Sequence, residues 1–198
     1  VTSMMFKEYF DSALGISSKK IKHLPQYAED LFIDCVENVK SDKYNFVFAG
    51  NIGDMQSVET IIKAANELRS HDNIIFHIVG DGSKLEGCKV LSNQFRLTNV
   101  VYHGRQPVNE MPKYYGLADA MLITLKDNQT LSYTLPGKVQ SYMAARKPII
   151  GSINGETSRI INESGCGLCC AAEDYKELAK LIQIPPKLVL YYSLLAEQ

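Results

Sequence analysis

At 198 residues the chain is long enough to bury a real core and short enough to be one domain with appendages. Its 21 basic and 22 acidic residues nearly cancel, which excludes a global basic field for nucleic acid; an anionic ligand has to be met by local groups. No apolar run approaches the ~18 residues of a membrane span and the start lacks the regions of a signal peptide, so a soluble, cytoplasmic protein is expected.

The first 44 residues read as a connector and not as a complete domain. Met5, Phe6, Tyr9, Phe10, Ala13 and Leu14 recur at helical spacing over Ser3 to Leu14, with Gly15 as a C-terminal stop. Lys22-His23-Leu24-Pro25 then reads as extended chain, because the residue before proline is biased away from helix. A polar linker is expected over Asn38 to Lys43. The chain opens at Val1, in the middle of what reads as structure, and is expected to be a piece of a longer protein.

From Tyr44 the pattern becomes regular. Asn45 to Ala49 is a short apolar strand ending in Gly50-Asn51-Ile52-Gly53, followed by an amphipathic helix over about Met55 to Arg69. A second strand, Ile74 to Val79, ends in Gly80-Asp81-Gly82, and Ser83 to Glu86 has the spacing of a capping box for the next helix. The third strand, Val100 to His103, ends in Gly104-Arg105 before a helix near Asn109 to Gly116. Ala120 to Thr124 is the fourth strand and Pro148 to Gly151 the fifth, with a helix near Glu156 to Glu163. Leu168 to Ala172 is the sixth, with a helix from Asp174 to about Ile182. Pro185-Pro186 stops that helix, and the apolar tail from Lys187 to Gln198 reads as helical, able to pack on a partner domain or drive dimerisation.

Six strand-turn-helix units in series, apolar on both faces, predict an α/β fold: a Rossmann-like, doubly wound, six-stranded parallel sheet over residues 45–183, with helices on both faces. Such sheets bind ligands outside the carboxyl ends of their strands, where strand order reverses. The glycine turns at 50–53, 80–82 and 104 and the loop at 126–137 all fall there. The stretch Thr130 to Ile150 adds a Gly/Pro-punctuated loop opening a helix with Lys138 in its first turn, the arrangement of an anion site; a solvated surface lysine is the plainer reading.

Other motifs carry less. Gly50-x-x-Gly53 is not a dinucleotide fingerprint, and no acidic residue closes the second strand to take a ribose. His77, flanked by apolar strand residues, reads as a packed core histidine, and His103 at a strand end leaves a ligand role open. The five cysteines, Cys35, Cys88, Cys166, Cys169 and Cys170, form no regular framework and read as reduced thiols. The C-x-x-C at Cys166–Cys169 has no second ligand pair, so no metal is expected.

Taken in order, Phe46-Val-Phe-Ala-Gly50-Asn51, Ile78-Val-Gly-Asp-Gly82, Val101-Tyr-His-Gly104, Leu117-Ala-Asp119-Ala120, Tyr142-Met-Ala-Ala-Arg-Lys-Pro148 and Gly165-Cys-Gly167 resemble the C-terminal, nucleotide-sugar-binding domain of family 4 (group 1) glycosyltransferases of the GT-B fold. Lys20 to Phe32 resembles the crossing that leaves the N-terminal, acceptor-holding domain of such enzymes, a domain expected to lie outside this chain. The resemblance implies a retaining transfer of sugar from a nucleoside-diphosphate donor, a UDP-sugar by family preference, with no metal or other cofactor. It also implies a role in polysaccharide or glycoconjugate synthesis at the inner face of the membrane.

The departures from the family pattern are specific. The Arg and Lys that clamp the diphosphate in typical members match Asn51 and Gln56 here, and the two glutamates facing the donor sugar and ribose match Tyr133 and Ser141. A subgroup resembling aminosugar transferases of surface-polysaccharide assembly shares the Gln and the Pro136-x-Lys138 loop; Arg146 stands where a glycine is common. The expected donor site therefore comprises Asn51, Gly53, Gln56, Arg105, Tyr133, Thr134, Leu135, Lys138 and Ser141, with backbone amides at Gly53 and Thr134 to Gly137 and the cations Lys138 and Arg105 replacing the lost pair. No catalytic residue is assigned, and an isolated fragment is expected to be inactive. The competing expectations are a degenerate, non-catalytic nucleotide-sugar-binding or regulatory domain, motivated by the four losses, and a UDP-sugar epimerase of similar fold.

Overall fold

A computed structural model of the chain describes residues 1–33, 35 and 42–189. After helix α1 (Met4–Leu14) and two short 3-10 turns come β1 (Tyr44–Ala49), α2 (Val58–Glu67), β2 (Ile74–Val79), α3 (Leu85–Gln94), β3 (Val100–Gly104) and α4 (Met111–Leu117). The second half runs through β4 (Ala120–Thr124), α5 (Gln129–Ser132), α6 (Lys138–Ala144), β5 (Ile149–Ser152), α7 (Glu156–Glu163), β6 (Gly167–Cys170) and α8 (Tyr175–Gln183).

All six strands are parallel, in the order β3-β2-β1-β4-β5-β6. Strand order reverses between β1 and β4, which are joined through Phe46 opposite Ala120 and Val47 opposite Met121. Because side chains alternate across a strand, Phe46, Phe48, Phe76, Ile78, Leu122 and Ile150 face one core, shared with Ile61 and Ile62 of α2, Cys88 of α3 and Leu178 and Ile182 of α8. Val47, Ala49, Met121, Ile123 and Ile149 face the other, with Tyr114 and Tyr115 of α4, Val139 and Tyr142 of α6 and Ile161 of α7. Two apolar layers on one sheet give the doubly wound architecture expected from the sequence.

The structure corrects several local expectations. The helix after β1 is preceded by a 3-10 turn at Asp54–Gln56 and starts at Val58, because Ser57 takes a left-handed conformation (φ 44°) that breaks the helical path. The capping box expected at Ser83–Glu86 is not formed: α3 starts at Leu85 and its N-cap, Lys84, makes no side-chain capping bond. Four residues of the loop after β4 form α5, capped by Asn128 Oδ1, which accepts from the amides of Thr130 and Leu131 at 2.9 and 3.2 Å.

The connector is more structured than its composition suggested. Helix α1 buries none of its residues completely, yet its start is anchored: the Met4 amide donates to Glu156 Oε1 at 2.9 Å, and the rings of Phe6 and Tyr9 lie 5.9 and 5.4 Å from that of Tyr133. The linker expected over Asn38 to Lys43 lies largely outside the described residues, as does the tail beyond residue 189. Residues 186–189 are helical, and Val189 is buried in the domain's own core.

Candidate functional site

The strand-end turns build a cleft. A cavity of about 550 Å³ opens at the carboxyl ends of β1, β2 and β3, lined by Gly50, Asn51, Val79, Gly80, Asp81, Gly82, Arg105, Gln106 and Met111. Its floor is largely main chain, because the turns come too close for side chains. Gly80 (φ 138°) is the tightest: a Cβ there would overlap the Gly50 carbonyl oxygen. Only glycine meets both demands, positive φ and contact of two backbones. Arg105 is exposed at the rim, the one expected cation that lines this cleft.

Lys138 is placed unlike a first-turn surface lysine. Its Nζ is sealed from solvent and has no hydrogen-bond partner among the described residues. It sits 4.1 Å from the centre of the Phe48 ring, a cation–π contact, and a Cβ on Gly50 would lie 2.9 Å from it. Burial lowers its pKa to about 8. The ammonium thus packs against the Gly50 turn, which also lines the cleft.

The remaining expected residues fall into two groups. Gln56 and Gly53 are together but bonded to each other: Gln56 Oε1 accepts from the Gly53 amide at 3.2 Å and from Asn51 Nδ2 at 3.1 Å. The Thr134 amide likewise donates to the Leu131 carbonyl at 3.0 Å, and the Thr134 carbonyl accepts from the Thr157 hydroxyl at 2.9 Å. Two of the amides expected to hold an anion are therefore already paired within the chain. Leu135 packs against the core that Val47, Met121 and Tyr142 share, and Tyr133 is held among α1 aromatics, its hydroxyl accepting from Gln129 at 3.2 Å. Ser141 reaches the Gly137 carbonyl only at 3.5 Å, so its hydroxyl is weakly engaged.

Two cations escaped the sequence reading. Lys84 and Lys126 meet at Asp54, at 3.2 and 2.8 Å, and their hydrogen bonds, Lys126 first, hold its carboxyl below the usual range. They come from the loops after β2 and β4, so only the fold brings them beside Gln56. Their sequence signal was slight: each is the first lysine after a strand end.

A second polar cluster lies beneath β3. His77 Nδ1 and His103 Nε2 are 2.9 Å apart, His77 Nε2 is 3.1 Å from Asn45 Oδ1, and Asn45 donates through its amide to Asp119 Oδ2 at 2.7 Å. Burial, then the neighbouring His103, lowers the pKa of His77 to about 4; burial, then Lys113, lowers that of His103. His77 is a core residue as expected, and His103 serves as its partner. Cys166, Cys169 and Cys170 carry free thiols whose pKa values burial raises, and no group of His, Cys, Asp or Glu suited to a metal occurs among the described residues.

Residues 32–184 match the family described as glycosyl transferases group 1. The chain belongs to that family. The probable glycosyltransferase WbjE of Pseudomonas aeruginosa is 36% identical over 141 residues, which is 69% of this chain and 34% of that protein. The putative colanic acid biosynthesis glycosyl transferase WcaI of Escherichia coli K12 is 26% identical over 141 residues, 66% of this chain and 34% of its own. The group 1 chain thus spans about a third of the relatives it matches. Among solved structures, WaaG, a glycosyltransferase involved in lipopolysaccharide biosynthesis, superposes with a TM-score of 0.78 at 13% identity, over 98% of this chain and 55% of that one. HepE of Anabaena, solved with UDP-glucose, gives 0.76 at 15% identity, over 100% and 58%. These likenesses establish the fold. Among the described residues of this group 1 chain no helix is long and apolar enough to cross a membrane.

Proposed function

We propose that this chain is the donor-binding half of a retaining glycosyltransferase, taking a nucleoside-diphosphate sugar in the cleft above β1, β2 and β3. One observation carries the reading: in a chain of this family, the cleft is floored by the backbones of Gly50, Gly80 and Gly82 at the carboxyl ends of the strands, beside the reversal of strand order. A flat nucleoside needs such a backbone-lined slot, and Arg105 at its rim offers a guanidinium to the diphosphate. Departure of the nucleoside diphosphate leaves negative charge that fixed cations must stabilise. Here Arg105 and Lys138 carry that role, with Asn51 and Gln56 as neutral hydrogen-bonding groups; Ser141, on the second turn of α6 with a weakly engaged hydroxyl, is left for the ribose, while Tyr133, Thr134 and Leu135 support the loop from within the fold.

The names of the relatives and neighbours support a UDP-sugar and a product in surface-polysaccharide assembly. The acceptor is held by a further domain of the longer protein, which works at the inner face of the membrane. Thermal-shift titration of the 198-residue chain with UDP-, GDP- and ADP-glucose tests the reading. A concentration-dependent rise in melting temperature with one of them is expected, about 2.7 kcal/mol at a hundredfold excess over Kd. No shift with any of the three refutes it.

A second reading is favoured by Asn51, Gln56, Tyr133 and Ser141, which replace two cations and two carboxylates. It is a binding or regulatory domain without transfer. Donor binding without hydrolysis or transfer by the longer protein decides for it.

A further inference from the structure

The ammonium of Lys138 is the group the structure leaves unexplained. It is sealed, and among the described residues it has no hydrogen-bond partner and no carboxylate within ion-pair distance. Among the described residues, the elements packed around it supply no compensating charge. Strand β1 presents the Phe48 ring and the Gly50 backbone. On its own helix Tyr142 faces the same core, but its hydroxyl is committed to the Ala49 carbonyl at 3.0 Å and its pKa is raised by burial, so it stays neutral. A buried, unpaired charge is among the costliest features a fold can keep.

Its position states what would relieve the cost. Gly50 lines the cleft, and a Cβ added to it would meet Lys138 Nζ at 2.9 Å. One glycine therefore separates the cation from the space above the strand ends.

We propose that Lys138 is a counter-ion held in reserve for the donor's diphosphate: the anion binds over the Gly50 turn, the ammonium pairs with it through that glycine, and a proton is taken up as the anion binds. The inference rests on the donor-binding reading and extends it, since that reading holds with or without proton exchange. The physical cause is the burial of Nζ, which leaves about half of the lysines neutral at pH 8 until a negative charge arrives beside them.

The test is isothermal titration of the 198-residue chain at pH 8 with UDP-, GDP- and ADP-glucose, whose diphosphates do not titrate near that pH. Each is run in two buffers of different ionisation enthalpy, on the wild type and on Lys138→Met. For the glucose donor that binds, the wild type is expected to take up up to about half a proton per ligand, falling toward zero at pH 6.5. Lys138→Met is expected to bind at least tenfold more weakly with no uptake. The proton count needs no variant, so it decides even if the substitution disturbs folding. Binding without proton uptake at pH 8, or an unchanged Kd in a folded Lys138→Met, overturns the proposal and leaves the donor reading standing. Failure of all three donors to bind the wild type overturns both.

Discussion

Removing the Lys138 charge should make the protein more stable, which is unusual for a residue assigned a binding role. Its pKa falls from 10.5 to about 8 on folding, and at ~1.36 kcal/mol per unit the penalty of keeping the buried ammonium charged is roughly 3 kcal/mol. The cation–π contact with Phe48, at 4.1 Å, returns about 1–2 kcal/mol of that. Lys138→Met keeps the stem's length, loses the charge and is expected to gain about 1–2 kcal/mol near pH 7, a rise in Tm of roughly 2–8 °C for a domain of this size. The sign with pH is fixed. Between pH 8 and 10.5 the unfolded lysine holds its proton while the folded one has lost it, so wild-type stability rises with pH across that window. The gap between variant and wild type should therefore be largest below pH 8 and close above pH 10. Paired thermal melts at pH 7 and pH 10 measure it, since other groups titrate equally in both proteins. A variant less stable at pH 7, or a gap independent of pH, would refute the argument.

Arg146 sits at φ 56° in the left-handed region and is exposed, so Arg146→Gly should raise stability by about 1 kcal/mol, read from urea midpoints at constant m. His77, held neutral by burial with a pKa near 4, binds a proton in the unfolded chain below pH 6.5 before it does in the folded one. Stability should fall as pH drops from about 6.5 toward 4, by about 1–2 kcal/mol after solvent screening, and His77→Gln should lose that part of the slope in pH-dependent denaturation curves. Glu156, 1% exposed, ties Met4 and Arg159 together, so Glu156→Ala should cost about 1–3 kcal/mol and free α1 for cleavage, seen as faster limited proteolysis near residues 4–14.

The fold was legible because its signals are local. Runs such as Phe46 to Ala49 and Ile74 to Val79, each closed by glycine, announce buried parallel strands without knowledge of their neighbours. The oddity at Arg146 also had a local cause, now visible as the positive φ that makes glycine common there. The site was legible only in outline. Gln56 was picked out, but its bond to the Gly53 amide depends on a rotamer that sequence does not specify. The pairing of Lys84 and Lys126 on Asp54 joins three loops, and the burial of Lys138 depends on Phe48 lying ninety residues earlier in the chain. Spacing cannot express either relation.

The narrow junction between β1 and β4 has a kinetic meaning. Strands β1 to β3 and β4 to β6 each pair with sequence neighbours, whereas Phe46 meets Ala120 and Val47 meets Met121 across a span of 74 residues. Closing so long a span costs more chain entropy than any other step in assembling the sheet, so the two halves are expected to zip together last. Amides along that seam should then be the slow-protecting ones in pulsed hydrogen exchange during refolding.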